Sequence, residues 1–465
     1  MDRGSTRGVC VTQGGVWAGH GRKVMAVRIS KHRWLLLVGA LVAAAALMAV
    51  ACGEEKEKET AETPGASPAA TQPTGEKVPG VTDTEILLGT HFPLSQTPAS
   101  AYAAIVEGIS AYFDYINSQG GVYGRKIKLL IGDDHYNPAD TVEVVRKLVE
   151  QDNVFAVAYG LGESTHLAVY KYLEERGVPD LFVGSGIRVF TEPLVRSRFG
   201  ANPNYYTEGR MLGQYIAENY PGKKLGLLVQ NDELGADGEA GIRKALEGSD
   251  VEIVARETYE SVQFDVTAQT QRLKGANPDV IVAYAIPPQA ASLVKVSREI
   301  LNWNVPILIS GVSVTDIFIQ LAGAQNAEGV VSVVFGKQVY QTDDPAVQQH
   351  LQIMKDFGQG VEPSNFSMYG QALGELMVKT LQNAGPNLTR ESVIEGAEAI
   401  RDWCCTGCLV PMNMSLTDHR PIEMELYTRV EGGKWVPISE PISFESTPGK
   451  VIGCKGMGEP IYASE

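Results

Sequence analysis

The stretch "EILLGTHFPLSQTPASAYAAIVEGISAYFDYINSQGGVYGRKIKLLIGDDHYNP", Glu85 to Pro138, contains two periodicities in alternation. "EILLGTHF" reads as a strand, and Ile105, Ile109, Phe113 and Ile116 then recur at helical spacing. Gly120 and Gly121 end that helix, "KIKLLIG" is a second strand, and Asn137-Pro138 supplies a capping residue with proline at the first helical position. "VFAVAYG" and "PDLFVG" are further strands, short and almost wholly apolar, as expected where helices cover both faces of a sheet. "THLAVYKYLEERG" reads as the helix between them.

The same rhythm restarts after Asn202-Pro203 with "LGLLVQN", "VEIVARETY", "DVIVAYA", "VPILIS" and "GVVSVVF". Strand–helix–strand alternation implies right-handed crossovers and parallel sheets. Two such runs predict an α/β protein of two doubly wound, Rossmann-like lobes. Three helical segments follow, Ala346 to Phe357, Phe366 to Ala384 and Ser392 to Asp402, and are most easily placed if the chain returns to the first lobe. "PIEMELYTRVEGGKWVPI" then alternates with period two around Gly432-Gly433, a hairpin signal.

Upstream of this body the chain changes character at one residue. Residues Trp34 to Ala51 are nearly all apolar and follow Arg28, Lys31, His32 and Arg33, whereas Gly53 onward is charged. A basic segment, an apolar run and small residues at its exit form an export signal. Ala49-Val50-Ala51-Cys52 resembles a bacterial lipobox, with Ala49 where that pattern prefers leucine. The resemblance implies a lipoprotein signal at 25–51, cleavage before Cys52 and a diacylglycerol on its sulfur, tethering the chain to a membrane. Residues 1–24, Gly- and Arg-rich with an isolated Cys10, fit no part of a signal, so translation is expected to start at Met25. Residues 52–81 have too few large apolar side chains to fold and read as an extended, disordered linker.

Composition narrows the function. The chain has 465 residues, 44% hydrophobic and 20% charged, with a formal charge of −15. That balance argues against a nucleic-acid surface, which needs clustered Lys and Arg. Gly160-Leu161-Gly162 lacks the third glycine of a dinucleotide fingerprint, since Thr165 stands there, and no GxxxxGK[ST] loop occurs. HExxH and GxSxG are absent, and Ser185 has no visible His and Asp partners, so no enzyme, cofactor or metal is expected. Ligands of doubly wound sheets bind beyond the carboxyl ends of the strands, which points to "YGLGESTH" and "GSGIRV". The former is equally well read as a tight strand-to-helix turn capped by Ser164.

These features together resemble an ABC-transporter solute-binding protein. The order strand, Ser/Pro/Gly loop, helix ending in "INSQGGVYGRKI", then "DDHYNP", with "NDELGADGEAGIRKAL" further on, is similar to the leucine/isoleucine/valine-binding family, over roughly Thr82 to Ala384. The resemblance implies a type I periplasmic-binding fold with three hinge crossings, near Pro203, Gly336 and Cys408. Lobe 1 then comprises 82–203 and 337–408, and lobe 2 comprises 204–336 and 409–465. It also implies a monomeric receptor that captures a small solute by lobe closure and docks on a membrane permease. A sensor for a signalling partner and an extracytoplasmic enzyme are the rival readings.

Carried over by position, the family's ligand loops fall on Tyr102, on Leu161, Gly162, Glu163 and Ser164, and on Ser185, Gly186 and Ile187, the last group expected to grip a carboxylate through N–H groups and a hydroxyl. In the second lobe they fall on Leu234 and Ile286, where the family favours aromatic residues, and on Gly311 and Val312. The acid that holds an ammonium group in amino-acid binders is expected near Gly311 to Ser313, and none is there. A buried ammonium without a carboxylate is costly. An apolar or aromatic carboxylate or an amide therefore fits as well as a branched-chain amino acid. Glu163 is the nearby acid able to restore an ammonium site, although it reads first as an exposed first-turn glutamate favoured by the helix dipole. Cys404, Cys405, Cys408 and Cys454 suit two structural disulfides in an exported chain, with adjacent Cys404 and Cys405 taking different partners. The CxxC of Cys405 to Cys408 also admits zinc or redox readings.

Overall fold

Parallel pairing dominates the computed structural model, which describes residues 77–443 and 451–462. The signal at 25–51, Cys52, the start at Met25 and most of the linker lie outside the described residues. Val78 and Val81 already pack against the core, and Gly80 accepts a hydrogen bond from the Leu87 N–H.

The first sheet has the order β2 (Lys126–Asp133), β1 (Glu85–Phe92), β3 (Ala156–Ala158), β4 (Asp180–Val183) and β5 (Arg198–Gly200), all parallel. Every residue of β3 and β4 is buried, as their apolar composition requires, whereas edge strand β2 is only partly covered. Asn137 caps the helix Pro138–Glu150 by accepting from the Ala139 N–H at 2.8 Å.

The second sheet runs β12 (Lys434–Pro437), β11 (Met424–Glu431), β10 (Val331–Val334), β9 (Ile307–Ile309), β8 (Val280–Tyr284), β6 (Lys224–Gln230) and β7 (Glu252–Tyr259), with β13 (Ile442–Ser443) beside β11. Strands β6 to β10 pair in parallel, while β11 joins β10 and β12 antiparallel. A hairpin can extend a parallel sheet only at its edge and only by reversing direction there.

The helices Pro345–Phe357, Asn365–Ala384 and Arg390–Glu398 return to the first lobe, where the first two pack on the helix Ala104–Ser118. The last is shorter than the pattern to Asp402 predicts. Trp403 turns out to pair with Met412, and Asp402 takes a positive φ of 44°. "THLAVYKYLEERG" is also broken, into Glu163–Leu167 and Tyr170–Glu175, with Val169 leaving the helical region at φ −128°. Two disulfides are present. Cys404–Cys454 ties the last crossing to a small hairpin, β14 (Val451–Gly456) and β15 (Glu459–Tyr462), and Cys405–Cys408 closes the CxxC on itself. Among the described residues no helix is long and apolar enough to cross a membrane, and no cluster of three or more His, Cys, Asp or Glu suits a metal.

Candidate functional site

The carboxyl ends of both sheets face one cleft of about 1130 Å³, open mouth included. Pro203, Gly336 and Cys408 all line it, and Gly336 pairs with Cys408 in an isolated antiparallel bridge.

Of the residues expected from sequence, Tyr102, Leu161, Gly162, Glu163, Leu234, Ile286, Gly311 and Val312 line this cleft. Ser164, Ser185, Gly186 and Ile187 do not. Ser164 does not cap the following helix either. Gly162 is the cap residue, at φ 106°, and Thr165 donates its hydroxyl to the Leu161 carbonyl at 2.7 Å. A side chain at 162 would be strained in that backbone region and would collide with the Tyr136 ring 2.5 Å away. Ser185 is buried, and its hydroxyl is given to Glu163 Oε1 at 3.0 Å. The Ile187 N–H is in turn given to Ser185 Oγ at 3.3 Å. The carboxylate grip expected at Ser185 to Ile187 thus has two of its donors engaged inside the lobe.

Glu163 is not the exposed helix-start residue expected. It is 2% accessible and accepts from the Tyr136 hydroxyl at 2.8 Å as well as from Ser185. Burial, reinforced by the charge of Asp232 across the cleft, pushes its carboxyl up to about 7. Asp232, the cap of helix Glu233–Ala245, is itself pushed up to about 6 by burial.

The acid missing from the Gly311 loop arrives from elsewhere. Glu208, on the helix Tyr205–Asn219, is 2% accessible, lines the cleft and accepts the Gly311 N–H at 2.9 Å. Burial raises it to about 7 also. Asn204 starts that helix by accepting from Tyr206 and Thr207 N–H groups directly after the Pro203 crossing, which aims its first turn at the second lobe. Nothing in the sequence joins position 208 to position 311, so no local signal revealed it. Tyr136, Tyr205, Phe366 and Tyr369 were likewise missed, and with Tyr102 they bring several aromatic rings to the walls. Lys337 also lines the cleft, but its ammonium donates to Asp344 Oδ2 at 2.7 Å and to the Lys455 carbonyl at 2.6 Å.

Behind the first-lobe loop stands a buried ionic chain. His91 Nδ1 meets Asp134 at 2.7 Å, His91 Nε2 meets His166 Nδ1 at 2.9 Å, and His166 Nε2 meets Asp180 at 2.9 Å. Arg198 continues it, 3.3 Å from Asp180. Gly160 lies on the two imidazoles, where a Cβ would stand 2.4 Å from His91 Nε2. Across the cleft, Arg188 pairs with Asp237 through its backbone N–H at 2.8 Å and its guanidinium at 2.6 Å, and stacks 4.5 Å over Tyr206.

The family profile of periplasmic binding proteins matches residues 85–434. A Leu/Ile/Val-binding protein homolog from Brucella abortus is 23% identical over 312 residues, covering 66% of this chain and 81% of its own. A branched-chain amino acid ABC transporter structure from Thermus thermophilus with bound valine superposes with a TM-score of 0.70 at 20% identity, covering 78% of this chain and 97% of that one. A solute-binding protein from R. palustris in complex with benzoate gives 0.66 at 19% identity, with coverages of 82% and 98%. The match over most of the chain, the two doubly wound lobes and the cleft between them show that this chain belongs to the periplasmic binding protein family, with the type I fold.

Proposed function

We propose that the chain is the lipid-anchored, monomeric receptor of an ABC importer, capturing a small, largely apolar organic solute by closure of its two lobes. The observation that carries this reading is the cleft itself: both sheets point their carboxyl ends into it and all three crossings line it. Relatives with this fold hold valine or benzoate, both small solutes with an apolar body. Lobe 1 comprises 82–203 and 337–408, lobe 2 comprises 204–336 and 409–465, and rotation occurs near Pro203, Gly336 and Cys408. Tyr102, Leu161, Gly162, Glu163, Leu234, Ile286, Gly311 and Val312 touch the solute, while Ser185, itself held by the Ile187 N–H, supports Glu163.

The ligand shifts the population toward the closed form only by binding it more tightly than the open one. The lipid on Cys52 then keeps the closed receptor at high effective concentration beside its permease. Binding is read as a rise in melting temperature, about 2.7 kcal/mol of added stability at a ligand concentration of about 100 Kd. A panel of leucine, valine, aromatic acids, short carboxylates, amides and amines is expected to contain at least one stabilising class that also compacts the protein in small-angle scattering. Stabilisation without compaction would count against lobe closure, and turnover of a bound compound would overturn the receptor reading. Radiolabelled palmitate incorporated by the native chain and lost in Cys52→Ala tests the anchor.

A further inference from the structure

Deepening the receptor reading, on which this inference rests, we propose that the solute is an organic cation, an amine or quaternary ammonium with an apolar body, and that Glu163 and Glu208 recognise its charge. Three observations point the same way. Among the described residues, the charged groups lining the cleft are Glu163, Glu208 and Lys337, and Lys337 is engaged by Asp344 and a backbone carbonyl. The cleft therefore offers two carboxyls to a ligand and no uncommitted ammonium or guanidinium on its lining.

The donors expected from the sequence to receive an anion are already used. Ser185 gives its hydroxyl to Glu163, Ile187 gives its N–H to Ser185, and Gly311 gives its N–H to Glu208. Tyr136 points its hydroxyl at Glu163. A carboxylate ligand would stand beside two buried acids with no uncommitted cation on the lining to balance it, at a large desolvation cost. A cation meets the reverse situation, because an opposite charge within about 4–6 Å favours the ionised carboxyl.

The remaining surface suits the same class. Tyr102, Tyr136, Tyr205, Phe366 and Tyr369 line the cleft, and the Tyr102 and Phe366 rings lie 4.8 Å apart. Aromatic faces beside carboxylates attract ammonium groups through the ring quadrupole, most strongly where water is excluded. Burial holds both carboxyls near neutrality, to about 7 each, so uptake of a cation displaces protons. An amino acid fits less well, since its carboxylate meets neither a free cation nor the free Ser185–Ile187 grip.

The test is calorimetric titration of the purified receptor with matched sets sharing one apolar body. Phenethylamine, 3-phenylpropionate, 3-phenylpropionamide and phenylalanine form one set; isoamylamine, isocaproate and leucine form another, with choline as a quaternary cation. Amines or choline are expected to bind at least ten-fold more tightly than the carboxylates, with proton release at pH 6.5 seen as a dependence of the heat on buffer ionisation enthalpy. Glu163→Gln and Glu208→Gln are each expected to lower amine affinity at least ten-fold and to reduce the protons released, while circular dichroism and melting show a folded protein. Preference for a carboxylate, an amide or an amino acid overturns the cation assignment and leaves the receptor reading standing. If no class binds, both fail. Equal amine affinity in wild type and both variants overturns the roles of the two acids.

Discussion

The two walls of the cleft each bury one carboxyl, and they support it in opposite ways. On the first-lobe wall, Glu163 takes two hydroxyls and stands before the connected polar chain Asp134–His91–His166–Asp180–Arg198, in which Asp180 Oδ1 and Arg198 Nε lack a hydrogen bond. On the second-lobe wall, Glu208 takes a backbone N–H and stands beside another buried acid, Glu425, whose Oε1 has no hydrogen-bond partner. Apolar strands back it, with every residue of β8 and β9 buried. A connected polar network restrains geometry, because moving one member unpairs the next. Apolar packing is more forgiving of volume-conserving change. The first wall is thus built to hold one shape, and the second to be retuned.

The largest effect separating the walls is expected at His91. His91→Ala breaks the chain at its centre, leaving Asp134 only Thr141 and the Tyr136 N–H, and His166 only Asp180, and is expected to cost about 3 kcal/mol, against about 1 kcal/mol for Ile286→Val on the other wall. Urea unfolding measures both, and equal losses would break the comparison.

Next come the disulfides. Opening Cys404–Cys454, which spans 50 residues, is expected to cost roughly 4 kcal/mol, and opening the three-residue span Cys405–Cys408 roughly 2 kcal/mol, from chain entropy alone. Thermal melts of the two double Cys→Ser variants read the difference. A larger loss at Cys405–Cys408 would mean that its loop, held by a 2.7 Å bond from the Thr406 N–H to Glu375, contributes more than its length.

The pH profile sharpens the contrast further. Glu163 and Glu208 have folded values of about 7, above the usual 4.5, so the folded state binds more protons between those limits. Their contribution to stability is therefore present at low pH and lost as pH rises from about 4.5 to 7. Buried His91, His350 and His419 are pushed down and act in the opposite sense below about 6.5, so the readout is the difference between variants. Glu163→Gln and Glu208→Gln should each flatten the falling limb. Glu425→Gln is expected to stabilise the protein at pH 8 by about 1 kcal/mol by removing a like charge beside Glu208. No gain there would mean that Glu425 is already neutral at that pH.

The smallest effect belongs to the bond between the walls. The Arg188–Asp237 pair is half exposed at the arginine, so Arg188→Ala should cost about 1 kcal/mol, appearing as about five-fold weaker solute binding with little change in the melting of the empty protein. A drop in the empty protein's stability instead would place the pair in the fold rather than in closure.

The alternation from Glu85 to Pro138 and its return after Pro203 carried the fold, because strand and helix periods are local properties of a chain. The hairpin at Gly432-Gly433 was legible for the same reason. Loops at the carboxyl ends of strands pointed to the cleft, which Tyr102, Leu161 to Glu163, Leu234, Ile286, Gly311 and Val312 line. Inside those loops the reading failed wherever direction mattered. Ser185 faces Glu163 rather than the cleft, Glu163 turns inward rather than to water, and the acid at Gly311 belongs to a helix 103 residues away.

The chain alone therefore determined its class, its two lobes and the ends of the sheets at which a ligand would sit, since hydrophobic period and turn chemistry act between neighbours in sequence. Only the tertiary structure decided the charge of the site. That charge depends on which side chains from distant elements share one dry volume and on which of their donors are already taken, and neither is written at any single position.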